Sequence, residues 1–317
     1  MNFIEIIIFF LISYFLGLNL LPIVLDFGEK FRIYDYPDNR KINKTPLIRI
    51  GGLGIISSFL VSLIIFSLYK GDFTLFSNPV IYAPLLFSII GFIDDISNLT
   101  ALRKLTAQIL IAILLYFQGL NVGNLFAFSD YGFSLELLRK FDIYLTVLWI
   151  VGITNAINWT DGLDGLAAGV SIIFSISLLA ISFYQNNINF IIISILLLGS
   201  CFAFLKSNYY PAKIIMGDNG SYFLGSSIAI SSISVFSINS NELSIFVPLL
   251  MLFIPITDMA IVIFKRMINR KSPFLPDKLH LHHRLIVKIK SHKKTVLIIH
   301  FLSAIFTILG LILFFNF

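Results

Sequence analysis

The chain has 317 residues, 57% of them apolar and only 13% charged, with a formal net charge of +6. A soluble domain carries about 25% charged and about 45–50% apolar residues, so a soluble enzyme is excluded, and 33 Phe with 12 Tyr exclude a disordered chain. The single cysteine, Cys201, cannot pair within the chain, which removes a disulfide-stapled secreted domain.

A helix that crosses a bilayer needs about 20 apolar residues, and such runs recur along the whole chain. In order they cover 3–25, 51–69, 79–93, 105–118, 143–159, 165–184, 188–205, 221–238, 243–264 and 296–317. The third and fourth are short, which predicts tilted or re-entrant helices, or helices extended by their flanks. Runs such as IIISILLLG (191–199) do not alternate apolar with polar residues, so a β-barrel is not predicted. The first run is longer than the apolar core of a signal peptide and lacks a basic leader, and it is expected to stay as a helix. The pattern predicts an all-α polytopic integral membrane protein of about ten transmembrane helices, with room for an eleventh, forming one domain over 1–317.

Lysine and arginine divide the nine connecting loops unequally. The odd-numbered loops hold 20 of the 23 basic residues, and the even-numbered loops only Lys70, Arg139 and Lys140. Basic loops stay in the cytoplasm, so the odd loops are expected on the cytoplasmic face of the plasma membrane and both termini outside. Anionic headgroups explain the basic ninth loop better than nucleic acid does.

The chemically loaded residues fall in those same odd loops. In RKINKTPLIRIGGLG (40–54), Arg40, Lys41, Lys44 and Arg49 precede Gly51-Gly52, and anchoring at the membrane face is the plain explanation. In GFIDDISNLTALRKL (91–105), the adjacent carboxylates of Asp94 and Asp95 repel each other. Holding both ionised beside lipid needs a cation, or Arg103 and Lys104 folded back on them; a solvated loop capping the next helix is the alternative. In TNAINWTDGLDGLAAG (154–169), Asn155, Asn158, Asp161 and Asp164 recur every three residues, along one face of a helix. Their oxygens are hard donors suited to Mg²⁺, and Gly162 and Gly165 allow close approach of a ligand. Gly165 and Gly169 also form a helix-packing G-x-x-x-G, but packing alone needs no aspartates.

In KSNYYPAKIIMGDNGSYFLG (206–225), Asp218 stands at the start of a helix whose free N–H groups suit phosphate, or it is simply the N-cap. DKLHLHHRL (277–285) brings together His280, His282, His283 and Arg284. With no cysteine in that loop a closed zinc site fits poorly, and contact with diphosphate oxygens fits better.

Five stretches in this order, the first-loop RKINKTPLIRIGGLG and the four that follow, spread over roughly residues 34–285, resemble one known set. On GFIDDISNL, NAINWTDGLDGLAAG, NYYPAKIIMGDNGSYFLG and DKLHLHHRL the chain is identified as a member of the bacterial polyprenyl-phosphate N-acetylhexosamine-1-phosphate transferases. It is more distantly similar to phospho-MurNAc-pentapeptide translocase and the eukaryotic dolichyl-phosphate enzyme. The HLHHR form favours the sugar-1-phosphate branch. In the first loop the chain departs from the family's R-K-x-H-x-x-P-x-P, with Asn43 in place of His and Ile48 in place of the second Pro.

The resemblance implies transfer of a sugar 1-phosphate from a UDP-N-acetylhexosamine, UDP-GlcNAc first among them, to undecaprenyl phosphate. UMP is released, cell-envelope glycan synthesis begins, Mg²⁺ is the cofactor with Mn²⁺ as its substitute, and a homodimer is a candidate assembly. Residue by residue it implies Mg²⁺ on Asp218 and Asn158, and Asp94 and Asp95 beside the lipid phosphate, with Asp161 as a third catalytic carboxylate. Lys104 would bind phosphate oxygens, Asn208 and Asp164 would touch uridine, and His280, His282, His283 and Arg284 would lie over the sugar-nucleotide phosphates.

The competing class is a transporter or flippase. Transporters keep ionisable residues near the bilayer midplane and often carry repeats. No repeat is visible here, and Asp258, within the ninth run, is the one candidate midplane carboxylate, with pairing to a cation from a neighbouring helix or a place at the cytoplasmic end of its span as the alternatives.

Overall fold

The computed structural model describes residues 2–37, 45–125, 132–237, 245–272 and 277–316, with the backbone alone for 124 and 132–139. It is a bundle of α-helices: α1 (Phe3–Lys30), α2 (Gly52–Lys70), α3 (Pro79–Ser97), α4 (Ala101–Phe117), α5 (Gly132–Thr160) and α6 (Leu166–Tyr184). Then follow α7 (Ile188–Asn208), α8 (Gly217–Phe236), the short α9 (Phe246–Met251), α10 (Phe253–Ile268), α11 (Leu281–Ile289) and α12 (His292–Asn316).

Local chemistry sets several of these starts. The Asn2 side chain accepts the Glu5 N–H while Glu5 reaches back to the Asn2 N–H, a reciprocal cap on α1. Asn78 caps α3 with Pro79 in its first turn, and Thr100 caps α4.

Among the described residues, seven helices are long and apolar enough to cross a membrane: α1, α2, α3, α6, α7, α12 and the Lys140–Thr160 part of α5. The other three expected runs differ from simple spans. α4 has 17 residues, α8 carries Ser and Gly throughout, and the run 243–264 is broken at Leu252 into α9 and α10. Pro248 and Pro255 flank that break, and each removes a backbone donor.

The interior is built around α8, which is buried along nearly its whole length and packs on α2, α3, α5 and α6. α3 approaches it most closely at Gly91, where a Cβ would collide with the Asp218 backbone carbonyl. α1 and α12 lie at the periphery, and side chains such as Phe3, Leu114, Leu148 and Phe301 are exposed. An apolar surface of that extent suits lipid and not water.

Among the described residues two short strands interrupt the helices, which the sequence pattern does not predict. β1 (Tyr34–Asp35) pairs antiparallel with β2 (Leu47–Ile48). Ile48 also bridges Ile214, with Ile215 N–H donating to the Ile48 carbonyl at 2.9 Å and Gly51 N–H to the Ile215 carbonyl at 2.9 Å. These bonds fasten the first loop onto the start of α8 and so decide where Arg49 lies.

Candidate active site

Asp94 and Asp95 are not loop residues: α3 continues to Ser97 and both carboxylates are buried in its last turns. Asp95 faces the start of α8, where its Oδ1 accepts the Asp218 N–H at 2.9 Å and its Oδ2 the Asn219 N–H at 3.0 Å. The Asn219 side-chain amide also donates to Oδ2, at 2.6 Å. The N–H groups that the sequence offered to phosphate are therefore occupied by Asp95, which supplies the negative charge the helix start favours. Asp218 is not the cap of its own helix. Its carboxylate turns to Lys104, with Nζ 3.0 Å from Oδ2, and to the Asn158 amide, which donates to Oδ1 at 3.1 Å.

Lys104 joins α4 to both other helices, since Nζ also lies 3.1 Å from Asp94 Oδ2. Arg49 closes the cluster from the first loop, at 3.0 Å from Asp95, 3.4 Å from Asp94 and 3.7 Å from Asp218. Among the described residues, then, three carboxylates face two cations. Burial pulls the Arg49 guanidinium down, but Asp95 and Asp218 outweigh it and hold the group above its ordinary range. Arg103, the second cation expected from the sequence, is exposed, and among the described residues its side chain touches none of the carboxylates.

Asp161 lies in the turn between α5 and α6, and among the described residues its carboxylate makes no hydrogen bond or ion pair. Desolvation first, then the negative charges of Asp218, Asp95 and Asp164, raise it well above the usual carboxylate range. Asp164 and Asn208, expected to touch uridine, are both engaged by backbone groups. They are 7% and 3% exposed. Asp164 accepts the Ala212 N–H at 3.0 Å, while Asn208 accepts the Gly165 N–H at 2.9 Å and donates to the Ile214 carbonyl at 2.8 Å. Their visible work is to clamp the α5–α6 and α7–α8 turns together. Gly169 takes the packing role, against the His300 ring of α12.

The H-x-H-H-R segment folds over this end of the bundle. The His282 ring sits so close to Gly162 that a Cβ there would collide with it. The His280 ring meets Trp159 edge-on at 5.2 Å, stacks parallel to His282 at 5.6 Å, and the Arg266 guanidinium lies 5.1 Å from Trp159. Burial, followed by His283 and His280, pushes His282 down to about 3, and burial likewise lowers His283. Asp277 is held below its usual range, because Arg266 and the Leu279 N–H outweigh its desolvation. Among the described residues no group of three or more metal-ligating side chains includes these histidines.

Asp258 is no isolated midplane charge. Its carboxylate is taken by His280 Nδ1 at 2.9 Å and the Leu281 N–H at 2.6 Å, with Arg284 at 3.9 Å. From the sequence Arg49 is expected only to anchor its loop, while for Asp258 the expectation of a neighbouring cation holds and that of a midplane charge does not. The clue available for Arg49 was the pair of glycines after it, which lets the backbone pass close to another element. Asn43 lies outside the described residues.

Comparisons with known proteins identify the family of the chain. A sequence profile of glycosyl transferase family 4 matches residues 78–236, from the cap of α3 to the end of α8. Over 316 residues the chain is 34% identical to a probable undecaprenyl-phosphate N-acetylglucosaminyl 1-phosphate transferase of Bacillus subtilis (strain 168), covering 98% of this chain and 85% of that one. The chain belongs to glycosyl transferase family 4.

It is also 34% identical to a decaprenyl-phosphate N-acetylglucosaminephosphotransferase of Mycobacterium leprae (strain TN), over 84% of this chain and 73% of the relative. A phospho-N-acetylmuramoyl-pentapeptide-transferase of Listeria welshimeri matches at 34% over 67% of each chain. Membership in glycosyl transferase family 4 makes the chain a transferase, and its long apolar helices make it a membrane protein. None of these relatives supports the transport reading. The profile covers Asp94, Asp95, Lys104, Asn158, Asp161, Asp164, Asn208 and Asp218, while Arg49, Asp258 and α11 lie outside it but within the stretch shared with the Bacillus relative.

Proposed function

We propose that this transferase moves N-acetylglucosamine 1-phosphate from UDP-GlcNAc to undecaprenyl phosphate, with Mg²⁺ as its metal and UMP as the released product. One observation carries the reading: a cavity of about 780 Å³ whose apolar walls run into the carboxylate–lysine cluster. Ile109 of α4, Val147 and Val151 of α5 and Ile263 of α10 line it, and Lys104 and Asn158 stand at its polar end. From Ile143 to Asn158 along α5 is about 22 Å at 1.5 Å per residue. A long apolar trough ending at a cation suits an acceptor with a prenyl tail and an anionic head. The undecaprenyl- and decaprenyl-phosphate names of the relatives support the same class.

The donor set fits a hard metal ion. Among the described residues no three His, Cys, Asp or Glu side chains form a closed cage. Mg²⁺ does not ask for one, since it takes one or two carboxylates and completes its shell with substrate phosphates and water. Asp218, with Asn158 beside it, and Asp94 across Lys104 would hold it, and the ion would offset charge on the transferring phosphoryl group.

In the reaction an oxygen of the lipid phosphate attacks the β-phosphorus of UDP-GlcNAc. A new P–O bond forms as the bond to the bridging oxygen breaks, and UMP leaves with that oxygen. A phosphomonoester has a second pKa of about 6, so the acceptor is already largely dianionic and needs orientation more than a strong base. Asp94 and Asp95 fix the positions of Lys104 and Arg49, which counter the repulsion between two phosphorylated reactants. Asp161, whose carboxyl has no partner among the described residues, is the group suited to carry a residual proton. The H-x-H-H-R segment lies over the sugar-nucleotide phosphates. The site belongs on the cytoplasmic face of the plasma membrane, where cell-envelope glycan synthesis begins.

Purified protein in detergent, given UDP-GlcNAc, undecaprenyl phosphate and Mg²⁺, should release UMP, and omission of the lipid or addition of EDTA should stop it. UDP-GalNAc and UDP-MurNAc-pentapeptide serve as comparison donors. Release from one of these and not from UDP-GlcNAc would move the donor assignment. UMP release that ignores the lipid would remove the acceptor.

A further inference from the structure

Asp258 comes from α10, an element outside the motif stretches, yet it touches the H-x-H-H-R segment at three points. Oδ2 lies 2.9 Å from His280 Nδ1, Oδ1 accepts the Leu281 N–H at 2.6 Å, and Arg284 Nη2 stands 3.9 Å from Oδ1. His280 is the residue before α11 and offers that helix no side-chain cap. Asp258 therefore caps α11 from another helix and supplies negative charge at its start. The His280 ring is held on its remaining sides by Trp159, edge-on at 5.2 Å, and by His282, parallel at 5.6 Å. Among the described residues Nε2 has no hydrogen-bond partner, so Nε2 is the nitrogen left for a ligand.

We propose that Asp258 is the positioning residue of this segment: it seats the start of α11 and places the His280 ring proton on Nδ1, so that Nε2 meets the sugar nucleotide. A carboxylate on one ring nitrogen sets the tautomer and ring direction for the other. The part that concerns the sugar nucleotide rests on the transferase reading above; the tautomer does not.

Asp258→Asn separates the two. The amide keeps an oxygen for the Leu281 N–H but turns an N–H donor toward Nδ1, which moves the ring proton to Nε2. A buried carboxylate-to-amide change beside a catalytic histidine has this effect in the serine proteases. The first measurement needs no substrate. Nitrogen-15 NMR of protein labelled at its five histidines, at about pH 8.5 and assigned with His280→Gln, should show Nδ1–H at His280 in the wild type and Nε2–H in Asp258→Asn. An Nε2–H wild type overturns the proposal, whether or not the variant folds.

The second measurement is kinetic. Asp258→Asn should lower kcat/KM for UDP-GlcNAc about 10- to 100-fold, leave KM for undecaprenyl phosphate unchanged, and stay folded at the assay temperature, with melting earlier only by what the lost charge at the start of α11 contributes. Combined with His280→Gln it should cost nothing beyond His280→Gln alone, because both changes break one unit. Losses that multiply, or a wild-type rate in Asp258→Asn, overturn it. A wild-type enzyme that releases no UMP would bring down the transferase reading while the NMR result still decides the positioning role.

Discussion

Arg49 shows how much of this site depends on one side chain from a distant loop. It reaches Asp95 through Nε and Asp94 and Asp218 through Nη2, a fixed planar spacing of donors that a lysine ammonium does not reproduce. Arg49→Gln is expected to lower kcat about 10²- to 10³-fold, and Arg49→Lys should recover only part of that in a UMP-release assay. Asp218→Ala should abolish turnover even at saturating Mg²⁺, with Asp218→Asn keeping a trace. A normal rate and normal Mg²⁺ dependence in Asp218→Ala would leave that residue with packing alone. His282 gives a pH test with a definite sign. Its folded form releases its proton only near about 3, whereas the unfolded chain binds one below about 6.5. The unfolded state holds more protons between those values, so stability rises with pH through that window and is flat above it. About 2 kcal/mol should be lost between pH 7 and pH 5, seen as earlier melting in detergent, and His282→Asn should lose most of that dependence.

At the scale of elements, the contact between α3 and α8 carries the carboxylates. Gly91→Ala pushes a methyl into the Asp218 backbone, so it should destabilise by about 1–3 kcal/mol and lower kcat, since Asp95 and the α8 N–H groups would separate. The helices themselves were readable in advance because apolar runs of bilayer length admit little else, and Asp94, Asn158, Asp161 and Asp218 were readable because carboxylates and amides at the ends of such runs have no structural excuse. Three things were not. Arg49 reaches the cluster through the Ile48–Ile214 bridge, a pairing between residues far apart in the chain that leaves no local pattern. The partners of Asp258 leave no local pattern, since His280 and the Leu281 N–H stand 22 and 23 residues on and the run 243–264 hides the break at Leu252, although Pro248 and Pro255 mark its edges. Asp164 and Asn208 carry the right chemistry for a ligand, but their hydrogen bonds go to backbone groups brought near by the fold.

For the whole molecule, the proposed topology follows from 20 basic residues on one set of loops and three on the other. Cysteines placed at the exposed positions Arg103 and Lys206 should react with a polar reagent only from the cytoplasmic side, and one at Asp72 only from outside, with the buried Cys201 silent. Labelling of Arg103→Cys and Lys206→Cys from opposite sides would break the common face on which the site depends. The central claim is that one membrane-embedded site joins a lipid phosphate to a sugar 1-phosphate, trading one diphosphate for another of similar energy. Isotope exchange tests it most directly: labelled UMP incubated with the purified protein, Mg²⁺, UDP-GlcNAc and undecaprenyl phosphate. The account predicts that label appears in UDP-GlcNAc, and only when the lipid is present. No exchange with folded protein and all components supplied, or exchange that proceeds equally without the lipid, would contradict it.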